Sequence, residues 1–348
     1  MTNDIEITNK NLVEYIAAIF GFNKLAQMLP GKDIKPSYLF IGFFSILDLA
    51  ILQVYVHFTG GTHIFLRSPN VAIGYATVIL GVFGIEYMSR SLNESISAVR
   101  VHERVEDYEN SETQWIISWR TKIIIYIIGV IILYAHAIFN VGIPNQVTAV
   151  NLLFTWEFVL LPIIIEFTLT YISIHIRLPR QIKNTDMNMF FYDPRNMGGF
   201  AAVGVLLKRS YYLYTIALLM FFIYVYGRVF LSLGGYQPGL FDLIFFSTAW
   251  FIGLLSIAHS MYTMHRFMSN EKEDRIREIE EELHEALENP YDINNSTVDD
   301  PGKLEDAQRR LEQVRNTRVY PATFTMWSQI GISVFLPQLL QLTVQATL

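Results

Sequence analysis

Asp48, Glu86, His136, Glu157, Glu166 and Arg228 each fall inside a long apolar stretch, and Asp242 opens another. An ionised side chain at hydrocarbon depth costs roughly 2.5–3.5 kcal/mol on insertion scales if it faces lipid. Such residues must face the protein interior or a water-filled cavity, where they can hold a proton, an ion, a polar ligand or one another. Glu157 and Glu166 are nine residues apart. At about 3.6 residues per turn they lie half a turn out of phase, so a straight helix cannot aim both at one site. Arg228 and Asp242 flank one short loop containing "GGYQPG", which predicts a salt bridge across it. For the others two readings stay open. They bond between helices, or Asp48, His136, Glu157 and Glu166 line a ligand pocket.

A second polar set lies in "VFLPQLLQLTVQATL", residues 334–348. Val334, Gln338, Gln341 and Gln345 recur at i, i+4, i+7 and i+11 and so share one helix face. An amide turned to lipid loses its partners, at about 1 kcal/mol or more each. A neutral amide lining passes ions without binding them strongly. The alternative is that Gln341 and Gln345 sit at the membrane interface and Gln338 bonds a neighbouring helix. Pro337 frees the carbonyl of Ser333 and favours a bend there.

Other chemistry is missing. The chain has no cysteine, hence no disulfide, thiolate site or cysteine nucleophile. It has neither H-E-x-x-H nor G-x-S-x-G. No phosphate loop and no basic patch with interleaved aromatics is present. The eight histidines are scattered, unlike the clustered histidines of adiponectin-receptor-like hydrolases. The last apolar stretch has no lysine for a retinal Schiff base. The expectation is a protein with no catalytic reaction, cofactor, metal or nucleic-acid partner.

The elements that must position these residues are membrane spans. Of 348 residues, 52% are hydrophobic and 14% aromatic, and mean hydropathy is +0.31. The apolar residues fall in blocks near the ~20 that a bilayer needs. Seven spans are expected, at 37–58, 71–88, 122–143, 151–176, 211–232, 239–264 and 322–345, in an all-α protein. If the intervening segments are assigned to alternate sides, all of the 26 Lys and Arg residues except Arg67 and Arg228 fall on one side. The positive-inside rule makes that side cytoplasmic, with the N-terminus inside and the C-terminus outside. No cleavable signal is evident, and a multi-pass protein of the cell membrane is expected.

The expected division is a pre-membrane helix (1–36), spans one to six with their cytoplasmic loops (37–267), a cytoplasmic helical hairpin (268–318) and span seven (319–348). In the first part Leu12, Ile16, Ile19 and Phe20 share a face. That predicts an amphipathic helix, either lying at the inner interface or packed on the protein. In the hairpin Ile276, Ile279, Leu283 and Ala286, then Leu304, Ala307, Leu311 and Val314, follow a/d spacing. Asp300 and Pro301 mark the start of the second helix. The stretch 190–210, with Gly198 and Gly199, predicts a turn packed at the membrane surface and leading into a long fifth helix.

Three stretches carry a resemblance: "GGFAAVGVLLKRSYYLYT", "FFSTAWFIGLLSIAHSMYTMHR" and "RRLEQVRNTRVYPATFTMWSQI". They resemble uncharacterised archaeal multi-pass membrane proteins, which imply no activity. In architecture the chain is similar to the insect odorant and gustatory receptor superfamily. Shared features are seven spans, an inside N-terminus, a helix before span one, a long cytoplasmic helix feeding span seven and almost nothing after it. That family ends its last span with threonine-tyrosine, five apolar residues and glutamine-phenylalanine. Here Phe335 stands at the tyrosine position, Gln341 at the glutamine and Leu342 at the phenylalanine; Val334 replaces the threonine, and Pro337 and Gln338 depart from the apolar middle. The resemblance implies a homotetrameric, ligand-gated ion channel with the last helix around the pore and a small-molecule ligand among the other spans. A non-channel sensor signalling through the hairpin and a transporter stay open as alternatives.

Overall fold

The structure, a computed structural model, describes residues 11–29, 34–58, 70–104, 117–136, 159–185, 187–230, 240–292, 297–298 and 301–321. The protein is all-α, with no strand among the described residues. Among the described residues the helices are α1 Leu12–Ile19, α2 Phe22–Met28, α3 Pro36–Phe58, α4 Asn70–Val99, α5 Val101–Arg104, α6 Trp119–His136, α7 Leu161–Ile172, α8 Leu178–Asn184, α9 Ala201–Phe230, α10 Leu240–Glu285 and α11 Pro301–Asn316. A π turn, Ser173–Arg177, joins α7 to α8.

Four segments among the described residues are long and apolar enough to cross a membrane: Pro36–Val54, Ala72–Val99, Leu161–Asn184 and Ala201–Ile223. They make this an integral membrane protein. They overlap the first, second, fourth and fifth expected spans. The third and sixth ranges overlap α6 and α10; the seventh, 322–345, lies outside the described residues. Two helices run beyond the expected spans, of which the second is the shortest and is expected to extend at one end. α4 runs 30 residues, on past the apolar run to Val99, because "SRSLNESISAV" has no breaker. α9 starts at Ala201, inside the stretch expected to be a turn.

The chain divides into two compact units. One comprises residues 1–90, 114–173 and 213–251; the other comprises 91–113, 174–212 and 252–348. In the first unit α7, "LPIIIEFTLTYI", is apolar nearly all round and is buried along most of its length. Its neighbours make room with glycine: a side chain at Gly84 would meet Phe167 at 3.1 Å, and one at Gly129 would meet Leu161 at 3.3 Å. Small residues at such crossings let helix backbones approach closely.

α1 packs in the same unit, against α3, α6 and α7. Its buried residues are Leu12, Val13, Ile16 and Ala17, whereas Ile19 and Phe20 are exposed. The buried face is thus rotated from the one expected. α1 has only eight residues before Gly21, in the left-handed region at φ +80°, turns the chain into α2.

In the second unit the end of α10 and α11 run in opposite directions. Lys272 Nζ donates to the carbonyls of Arg315 (2.6 Å) and Thr317 (2.8 Å), Glu282 pairs with Arg310, and Leu287 bridges Val298. Ile279, Ala307 and Val314 form their buried seam, flanked by Ile276, Leu283, Leu311 and Phe191. Six of these carry the a/d spacing read from the sequence, and Phe191 comes from outside both helices.

Candidate functional site

Three carboxylates inside the apolar helices are described with their partners, and they are not alike. Glu86 on α4 pairs with Lys35, just before α3, and accepts from the Tyr38 hydroxyl. Glu166 on α7 is 1% exposed. Its Oε1 accepts from Lys122 Nζ at 2.5 Å and from Thr170 Oγ1 at 3.4 Å; its Oε2 accepts from the backbone N–H of Leu12 at 2.9 Å. That N–H opens α1 and has no partner within its own helix, and a negative charge suits a helix N-terminus. One buried carboxylate therefore joins three elements: α7, α6 through Lys122, and α1 through its first amide.

Asn11 completes the seat of α1. Its side chain accepts from Glu14 N at 2.7 Å, and the Glu14 carboxylate accepts from Asn11 N at 3.3 Å, a reciprocal capping box. Burial pushes the Glu14 carboxyl above its ordinary value; the Asn11 amide and Lys35 oppose the shift without reversing it.

Asp48, on α3, is 3% exposed. It accepts from the Tyr75 hydroxyl of α4 at 2.6 Å, and no lysine, arginine or histidine among the described residues pairs with it. No hydrogen bond or ion pair joins Asp48 to Glu166. The side chains of His136, Arg228 and Asp242, and all of Glu157, Val334, Gln338, Gln341 and Gln345, lie outside the described residues.

The second unit holds a buried histidine that no sequence motif marks. His175 stands in the π turn and is fully buried. Its Nε2 lies 2.9 Å from Ser210 Oγ on α9, and its Nδ1 lies 3.3 Å from Ser260 Oγ on α10. Each serine also donates to its own helix, Ser210 to the Leu206 carbonyl at 2.8 Å and Ser260 to the Ile257 carbonyl at 2.9 Å. π turns recur at functional positions.

The second unit also grips the chain that leads to residue 322. Gln313 donates to the Phe191 carbonyl at 2.8 Å and Arg318 N to the Asn196 carbonyl at 2.8 Å. The His265 ring stacks on Tyr320 at 4.0 Å between centroids, with Nδ1 3.1 Å from the Val319 carbonyl. The Pro321 carbonyl lies against Gly204, where any side chain would collide with it. The receiving turn, residues 187–200, is set by Asp193, whose carboxylate accepts from the amides of Arg195 (3.0 Å), Met197 (3.1 Å) and Gly199 (2.9 Å). Burial pushes the Asp193 carboxyl up, but those three amides and the Arg195 charge outweigh it and hold the group below its ordinary value.

No family model, curated protein or solved structure matches the chain. Among the described residues no group of three His, Asp or Glu side chains is placed to hold a metal ion. The arrangement offers buried proton-holding groups, an ion pair that joins helices, and a fixed point of entry for the last apolar segment.

Proposed function

We propose that the protein is a homotetrameric ligand-gated ion channel of the cell membrane, similar in plan to insect chemoreceptors. It has seven spans, a cytoplasmic N-terminus and an extracellular C-terminus. The seventh span, 322–345, lines the pore with Val334, Gln338, Gln341 and Gln345. A small molecule binds among the other spans near Asp48, His136, Glu157 and Glu166, and no reaction is catalysed. The observation that carries this reading is the grip on residues 313–321. A pore helix that responds to events elsewhere must be held at one end, so that movement of its support reaches it. Side-chain, backbone and ring contacts from residues 191–204, His265 and Lys272 supply such a hold.

Conduction tests the reading directly. Purified protein should have the mass of four chains in detergent and should conduct in planar bilayers. Single cysteines at 338, 341 and 345 should react with a water-soluble thiol reagent added from outside, while cysteines at 336 and 340 should not. A monomer without conductance, or equal labelling at all five positions, would overturn it. A monomer would favour the second reading, a sensor whose α10–α11 pair engages a cytoplasmic partner. The observation behind that alternative is the exposed charge on the pair, including Arg275, Arg277, Glu278 and Arg309.

A further inference from the structure

The turn that joins α1 to α2 and the helix that follows expose apolar side chains. Ile19 is 67% and Met28 81% exposed, and Phe20, Leu25 and Leu29 are exposed beside them. A short apolar face needs a partner, and three observations identify it. Phe20 packs against Phe40 and Phe44, at 5.7 and 5.9 Å between centroids, and Phe22 packs against Phe40 and Phe43 at 5.4 and 5.8 Å. At 1.5 Å per residue from Pro36, those phenylalanines lie about 6–12 Å into the first span. The exposed face of α1–α2 is therefore level with the beginning of a span, not far outside it. It also continues into Phe43 and Ile46, exposed on α3 itself. Finally, Tyr15 stacks on Trp119 at 5.8 Å, and the Arg120 guanidinium lies over that indole. Tyr and Trp with a neighbouring cation mark the headgroup level of a bilayer.

We propose that residues 19–29 form a foot inserted into the headgroup and upper acyl region of the leaflet where α3 starts, its partner being phospholipid. Lys24, exposed on α2, reaches the phosphates beside it. The foot is seated from the other side by Glu166, which holds the first amide of α1 while Lys122 holds Glu166. The lipid surface is thus coupled mechanically to the buried ion pair. Insertion to about 5–10 Å is the depth of helices that lie in the interface. The leaflet is the inner one if the proposed orientation is right. The foot itself rests only on the protein being membrane-embedded, not on conduction.

The chain has no cysteine, so single sites can be labelled without a background. Ile19→Cys, Leu25→Cys and Met28→Cys would each carry a nitroxide in vesicles of phosphatidylcholine and phosphatidylglycerol. Ile46→Cys on α3 and Glu278→Cys on α10 are the lipid and water references. Collision rates with oxygen and with a neutral nickel chelate are then compared. Labels at 19, 25 and 28 should favour oxygen over nickel, in the sense of position 46 and opposite to 278. Labels that match 278 would overturn the foot. Low access to both reagents would mean that a second copy of the chain covers the face, and would overturn it equally. Neither result depends on channel activity, and reporter fusions on each side of the membrane test orientation separately.

Discussion

Both units contain ion pairs, but the pairs do different work. In the first, Lys122 and Glu166 meet among apolar helices with side chains 7% and 2% exposed. In the second, Arg310 and Glu282 meet at the rim of an apolar seam with side chains 27% and 45% exposed. The buried pair has little water to fall back on: without Lys122, Glu166 keeps the Leu12 amide and the Thr170 hydroxyl but has no opposite charge beside it in an apolar surrounding. The exposed pair has water as an alternative on both sides. A salt bridge at the rim of α10–α11 decorates packing that Ile279, Ala307 and Val314 already supply. The one at Glu166 links α7 to α6 and, through the Leu12 amide, to α1.

The contrast is broken or upheld first at Lys122. Lys122→Ala should lower stability by about 3–5 kcal/mol, the usual result of leaving a buried charge unpaired. It should be seen as loss of monodisperse protein in detergent. Lys122→Met with Glu166→Leu should recover much of that yield, because apolar replacement removes the unpaired charge, but should not recover the seat of α1. If the double variant is as poor as Lys122→Ala, the pair is not what the first unit depends on.

An intermediate effect is expected at Asp193, which is buried yet held by backbone amides. Asp193→Asn should destabilise the second unit by about 1–3 kcal/mol, since an amide oxygen replaces a carboxylate acceptor. The pH sign follows from its lowered value. Its contribution is fully present above the ordinary aspartate range near pH ~4 and is lost as pH falls through the lower folded-state value. Acid unfolding monitored by amide exchange in 187–200 should therefore lose part of its pH dependence in Asp193→Asn. An unchanged acid limb would show that the carboxylate does not carry it.

The smallest effect belongs to Arg310. Arg310→Ala should change stability by no more than about 1 kcal/mol, with the difference shrinking as salt rises. A loss as large as that of Lys122→Ala would erase the distinction between the two regions.

The helical class is legible in the sequence because apolar runs near span length leave few alternatives. The seam of α10–α11 is legible as well, because heptad spacing is local and places Ile276, Ile279 and Leu283 on one side before any partner is known. The Glu166 site is not. Its lysine is 44 residues away on another helix, and periodicity gives the phase of a helix, never its neighbour. In the sequence Lys122 reads as one more positive charge flanking a span. His175 is hidden for the same reason, its two serines being contributed by α9 and α10. Asp48 is legible as a polar residue at depth, but its hydroxyl partner Tyr75 is not, since tyrosine in an apolar run carries no mark of its own.

His175 has one more property, which follows from counting hydrogens. A neutral imidazole has one N–H, so one ring nitrogen donates while the other accepts. The serine that receives from the ring keeps its own hydroxyl on its helix carbonyl; the other must turn its hydroxyl towards the ring. Two arrangements satisfy both ring–serine contacts, one with Ser210 turned and one with Ser260 turned. Their hydrogen bonds run in opposite senses along the Ser210–His175–Ser260 line, and their net charge is the same. Passing between them requires the ring proton to change nitrogen and both hydroxyls to rotate in concert. The centre of the second unit thus contains a polar element with two settings, which an electric field along the Ser210–His175–Ser260 line would bias without any ion crossing it.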